Sequence, residues 1–248
     1  MTKVILALAI TLVSCSATPA LATATPRPTP ATTLFVTTSA PTASPSATTP
    51  VFRFVALGAS DAVGVGASDP RTGSWPARIA MRLPAGADYV DLGISGSLAA
   101  QASGGQLPSA LALRPQLVTI WLAVNDLNAN VPTPDYAVAL RSVIEPLVSR
   151  TAARVFVGNV PDLRSVPAYA GTDQAALLAR ITAYNAAIAA IAAAFPTRVS
   201  VVDLFTGSGP LVGTMAVSSD GFHPSDAGYG LIADRFLKAI ADAGIALR

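Results

Sequence analysis

The stretch LVTIWLAV, residues 117–124, is an apolar run of strand length without polar alternation. A strand that shows one face to water alternates apolar and polar side chains. A continuous run therefore implies cover on both faces, as in a parallel sheet flanked by helices. Four more strand-length runs recur at 52–57, 88–92, 154–157 and 198–204. Segments of helical character lie between and after them at 75–83, 134–149 (despite Pro146), 174–194 and 226–243. This alternation predicts an α/β fold: a five-stranded parallel sheet with helices on both faces.

These elements occupy residues 51–248, about 198 residues, which suits one domain. What precedes them is different material. Residues 1–14, MTKVILALAITLVS, have one lysine and a short apolar centre, too short to span a bilayer and suited to a signal peptide. Leu12-Val13-Ser14-Cys15 resembles the bacterial lipobox, which implies cleavage before Cys15, a lipidated thiol and an extracytoplasmic, membrane-anchored protein. The plainer alternative is a secreted protein cut after Ala20-Leu21-Ala22. Residues 16–50 are nearly all Thr, Ala, Pro and Ser with one charge, Arg27. Such a stretch buries too little apolar surface to offset its ordering entropy and reads as a linker, with an extended reach on the order of 100 Å. Cys15 is the only cysteine, so no internal disulfide framework supports the fold. Without Lys3 the net charge is close to +1, which is no footprint for nucleic acid.

In parallel sheets ligands bind beyond the carboxyl ends of the strands. The residues at those ends here are Gly58-Ala59-Ser60-Asp61, Gly93-Ile94-Ser95-Gly96, Asn125-Asp126 and Asn159-Val160-Pro161-Asp162, and the loop after the last strand holds Asp220-Gly221-Phe222-His223-Pro224. A serine hydroxyl becomes a useful nucleophile only with a base in hydrogen-bond reach, itself oriented by a third group. His223 is the one histidine in the chain. In a turn, Asp220 three residues earlier can accept from its Nδ1–H, leaving Nε2 to face Ser60. Pro224 biases His223 toward extended backbone, and Ser225 can cap the final helix. Acyl transfer also needs donors for a tetrahedral oxyanion. The candidates are the N–H groups of Ser60 and Gly93 and the Asn125 amide. Each residue has a plainer reading: Ser60 as a helix cap, Asp220 as a turn residue, Gly93 as a glycine of positive φ, Asn125 as a brace for its own turn. Trp75 and Trp121 read as core, Asp126 and Asp162 as loop braces.

The ordered set Ser60, Gly93, Asn125 and Asp220-x-x-His223 resembles the SGNH/GDSL hydrolase family. The resemblance covers about 52–245. DxxHP is its most specific piece, and DLGISGS at 91–97 is similar to the second family block. It implies a flavodoxin-like three-layer α/β/α sandwich, with Ser60 as nucleophile, His223 as base and Asp220 orienting it. Ser60, Gly93 and Asn125 would form the oxyanion hole. The first block departs from Gly-Asp-Ser-Leu, having Ala59 before the serine and Asp61 after it. The third, Ala123-Val124-Asn125-Asp126, lacks the glycine of Gly-x-Asn-Asp.

The glycines at 64 and 66 fit no nucleotide-binding fingerprint. One histidine and one cysteine leave few soft ligands for a metal, and the expected chemistry needs no cofactor. An α/β-hydrolase would want G-x-S-x-G on a later strand. The expected activity is hydrolysis of carboxylic esters. Acyl transfer to a sugar, or a surface binding module without catalysis, are the other readings. The loops at 127–135, 162–172 and 205–222, expected to wall the pocket, hold few charges, which favours a small or acyl ester. Acetylated glycan, lipid ester and thioester all remain compatible.

Overall fold

The computed structural model describes residues 51–212 and 215–248. The expectations placed on residues 1–50, namely the signal peptide, lipidated Cys15 and the linker, lie outside them. The chain opens with β1 (Arg53–Gly58), then α1 (Ser60–Val63), α2 (Pro70–Gly73) and α3 (Trp75–Ala80). After β2 (Asp88–Asp91) come α4 (Ala99–Gly105) and α5 (Leu107–Leu113). Then follow β3 (Leu117–Trp121), α6 (Val124–Asn128), α7 (Thr133–Arg150), β4 (Arg154–Gly158), α8 (Gln174–Ala193), β5 (Val199–Val202), α9 (Gly209–Val212) and α10 (Asp226–Asp242).

The strands pair in the order β2-β1-β3-β4-β5, all parallel. Phe54 stands opposite both Tyr89 and Leu117, and Val155 opposite Val199. Because side chains alternate across a strand, each strand serves two cores. Phe54, Ala56, Leu117 and Trp121 pack with Trp75 and Ile79 of α3 and Phe236 and Ile240 of α10. Val55, Leu57, Val118 and Ile120 pack with Ala102 of α4, Tyr136 and Leu140 of α7, and Ile181 and Ile188 of α8. This is the three-layer α/β/α sandwich expected. From β1 the chain steps to β2 on one side, then crosses to β3 on the other. The crevice at this reversal, between the carboxyl ends of β1 and β3, is where such sheets bind ligands.

α8 is long and apolar enough to cross a membrane by composition. Yet Leu177, Ile181, Tyr184, Ile188 and Ile191, spaced four and three apart, are buried in the core, so α8 is a core helix here. The Asp173 carboxylate caps it, accepting from the N–H groups of Ala175 and Ala176.

Three local expectations need correction. The third strand stops at Trp121, because residues 124–128 turn into α6 and set Asn125 on a helical turn. The last strand is only Val199–Val202. The helical segments read from the sequence do not include α4 and α5, which form although Gly104, Gly105 and Pro108 are weak helix formers. In the fold Pro108 falls in the first turn of α5, where a missing N–H is harmless.

Candidate active site

β1 delivers Ser60 to the crevice as the first residue of α1 rather than as its cap, which is Ala59. Gly58 must be small there, since a Cβ would meet that of Ala62 at 2.6 Å. From the far end of the chain, the loop before α10 brings His223. Its Nε2 lies 2.9 Å from Ser60 Oγ and its Nδ1 lies 2.7 Å from Asp220 Oδ2. A carboxylate can only accept, so Nδ1 carries the hydrogen and Nε2 is left to accept from the serine hydroxyl.

The corner holding Asp220 and His223 is tightly bonded. Asp220 Oδ1 accepts from the N–H groups of Phe222 and His223 and from Ser218 Oγ, at 2.8 to 2.9 Å. Desolvation alone would raise the Asp220 carboxyl. The N–H of Phe222, the His223 ring and the Ser218 hydroxyl outweigh it and hold the group well below the usual carboxylate range. Ser218 N–H also donates to the His223 carbonyl, and Ser225 Oγ accepts from Gly228 N–H at the start of α10, as the sequence suggested. Phe222 meets the imidazole edge-on, with ring centroids 4.8 Å apart.

The second and third strand ends are tied to the first by a residue that sequence reasoning missed. Gln106, buried at the α4–α5 junction, accepts from Gly58 N–H at 3.1 Å and donates to the Gly58 carbonyl at 3.0 Å. Its Nε2 also reaches Ser97 Oγ at 3.2 Å. Asn125 Nδ2 in turn donates to the Ser97 carbonyl at 3.1 Å. One glutamine thus links the strand that carries Ser60 to the loop that holds Asn125. Its only signal in the sequence is a second amide, after Gln101, in an Ala- and Gly-rich segment.

Gly93 does not stand as an open donor. Its N–H is donated to Asp91 Oδ1 at 2.8 Å. Nor is it a glycine for want of positive φ. A Cβ there would lie 2.8 Å from that of Ala62 and 3.3 Å from the Ala59 carbonyl, so close approach of the first two loops explains the residue. Gly96, three residues on, has φ of 78° and an N–H without a partner among the described residues, as has Ser60 N–H. Gly96 immediately precedes Ser97, to which Asn125 is bonded.

The remaining expectations hold in their structural sense. Asp126 braces the second loop, its carboxylate accepting from Ala99 N–H at 3.0 and 3.2 Å. Asp162 is paired with Arg164 at 2.8 Å. Trp75 and Trp121 are core: Trp75 stacks on Phe236 and meets Trp121 edge-on. Trp121 also shows an edge to the pocket.

Asp61, the acidic residue after the serine, holds the first turn. Its carboxylate accepts from Ala59 N–H at 3.1 Å, closing the turn that presents Ser60. Burial pushes its carboxyl up from 3.8 to about 6, against the N–H groups of Ala59, Ala62 and Asp61 itself. A carboxyl raised on folding stabilises the fold fully below its unfolded value, and that contribution is lost as pH rises through the folded one. Between pH 4 and pH 7, Asp61→Asn is therefore expected to lose less melting temperature than the unmodified protein. Asp91 and Asp126 are shifted the same way and leave a residual slope. Equal slopes in scanning calorimetry would refute the assignment to Asp61.

Ser60, His223 and Asn125 open onto a pocket of about 120 Å³ with mostly apolar walls, among them Leu122, Ala123, Leu163, Val166 and Val217. A hydroxyl, an imidazole and a carboxylate in series on the carboxyl edge of a parallel sheet is the arrangement of the α/β serine hydrolases. The chain belongs to the GDSL-like lipase/acylhydrolase family, whose sequence profile matches residues 56–231. Among solved structures it is similar in fold to TesA, with 23% identity and a TM-score of 0.61 over 77% of this chain and 99% of that one. It is similar also to a lipase/acylhydrolase from Enterococcus faecalis, with 20% identity and a TM-score of 0.62 over 80% and 98%. A third is a catalytic mutant of Axe2, an acetylxylan esterase from Geobacillus stearothermophilus, with 19% identity and a TM-score of 0.62 over 76% and 94%. No curated protein sequence matches the chain.

Proposed function

We propose that this protein hydrolyses carboxylic esters through an acyl-enzyme on Ser60. The observation that carries the reading is the unbroken relay from Ser60 Oγ through His223 to Asp220, at 2.9 and 2.7 Å. Ser60 Oγ attacks the ester carbonyl carbon while Nε2 takes its proton. The tetrahedral oxyanion is held by Ser60 N–H and Asn125 Nδ2, with Gly96 N–H in the place expected of Gly93. Collapse breaks the bond to the alcohol, which leaves with the proton from Nε2. Water then attacks the acyl-enzyme, giving its proton to Nε2, and the acid departs as that proton returns to Oγ. A fluorophosphonate probe tests the nucleophile: peptide mass analysis should find the label on Ser60, and an unlabelled, folded protein would fit a binding module instead.

For location we propose a lipoprotein tethered outside the cytoplasm through Cys15, on the strength of the Leu12-Val13-Ser14-Cys15 motif and the Pro-rich 16–50 segment that follows. Metabolic labelling with an alkyne fatty acid should mark the expressed protein and not Cys15→Ser. Equal labelling of both would sink the tether.

A further inference from the structure

We infer that a crevice along the flank of α10 holds the acyl chain of the ester, and that Leu231 limits the chain it accepts. The inference rests on the ester-hydrolase reading above. The pocket at Ser60 does not end at His223. It extends to the carboxyl ends of the later strands and the first turns of α10, where Trp121, Leu204, Ala216, Leu231 and Ile232 wall it.

α10 carries two faces at helical spacing. Tyr229, Ala233, Phe236, Leu237 and Ile240 are buried in the core shared with Trp75. Gly228, Leu231, Ile232 and Arg235 recur at i, i+3, i+4 and i+7, and all four line the pocket. Leu231 packs into neither core, yet it is partly buried. From Gly228 to Arg235 this face runs about 10 Å along the helix. At Gly228 a Cβ would come within 2.1 Å of the Ala216 carbonyl oxygen, so the backbone of the preceding loop lies directly on α10 and closes one side.

Three polar side chains of the crevice are already engaged by the protein's own backbone. Ser208 Oγ donates to the Phe205 carbonyl and accepts from Asp162 N–H. The Arg235 guanidinium donates to the carbonyls of Asp203 and Thr206. Trp121 Nε1 donates to the Asn159 carbonyl. A sugar ring or charged headgroup entering here would lose its water and find few free partners, whereas an alkyl chain needs none. The acyl group is also the part of the ester that stays on Ser60 through both half-reactions. A closed crevice suits it better than it suits an alcohol that must leave.

The test compares kcat/KM for p-nitrophenyl acetate, p-nitrophenyl octanoate and octyl acetate. The unmodified enzyme should favour octanoate over p-nitrophenyl acetate at least tenfold. Leu231→Trp should lower that ratio at least tenfold, with octyl acetate following p-nitrophenyl acetate. Leu231→Gln, which adds no bulk, should lower it through KM if the tryptophan variant does not fold by circular dichroism. An unchanged ratio in a folded variant with Ser60-dependent turnover overturns the crevice alone. Loss confined to octyl acetate puts the alcohol there and overturns it too. Absence of Ser60-dependent turnover on every ester overturns the hydrolase reading, and this inference with it.

Discussion

Replacing Ser60 by alanine is expected to lower kcat on p-nitrophenyl esters by about 10⁴-fold or more, with the melting temperature nearly unchanged. Among the described residues the side chain bonds only to His223 Nε2, so its loss would remove the proposed nucleophile and leave the turn of Ala59 and Asp61 in place. The variant should retain a rate above that of water, because the donors around the oxyanion position do not depend on Oγ. Ser60→Ala combined with His223→Ala should be scarcely worse than either alone, since nucleophile and base act as one unit. Turnover within tenfold of the unmodified enzyme, in protein free of contaminating esterase, would exclude Ser60 as the nucleophile.

Asp220→Asn is the second large effect, a loss on the order of 10⁴-fold in kcat. An amide oxygen can still accept from the N–H groups of Phe222 and His223, so the corner should keep its shape. If the amide turns its NH₂ toward Nδ1, that nitrogen must become an acceptor, and the imidazole hydrogen moves to Nε2. There it faces Ser60 and can no longer take the serine proton. The sign with pH is worked out from the depressed Asp220 carboxyl. A lowered folded value means that its contribution is present above the unfolded value and is lost only as pH falls through the folded one. Asp220 therefore stays ionised through the ordinary assay range. A folded Asp220→Asn protein with near-normal kcat would show that the carboxylate does not set the tautomer.

Much of this was legible in one dimension. The run at 117–124 implied a sheet covered on both faces, and both faces are covered. Asp220, His223 and Ser225 build their corner from residues within a few positions of one another, so their spacing was readable, whereas the edge-on contact of Phe222 was not. Asp162 was readable as a brace for the same reason, its short reach to Arg164, whereas the partner of Asp126, Ala99 N–H, lies 27 positions away and only the fold brings it close. Gly93 was misread because a sequence shows that a residue is small but not which neighbour requires it. The requirement comes from Ala59 and Ala62, about 30 positions away, and the N–H is taken by Asp91. Gln106 was invisible because its importance lies in Gly58 and Ser97, which the sequence places far from it. The extent of the third strand was misjudged because apolar character continues past Trp121 into α6, and hydrophobicity does not say where extended backbone turns helical.

By itself the sequence determined the layered sheet, the edge on which polar residues gather, and the local geometry of the histidine corner. These follow from periodicity and short-range hydrogen bonding, which depend on order along the chain. Only the tertiary structure decided that Ser60 and His223 meet across 163 positions, which N–H groups stay free around them, and that one flank of α10 faces a crevice instead of the core. Those outcomes depend on how layers pack in three dimensions, where a neighbour is defined by distance and not by sequence.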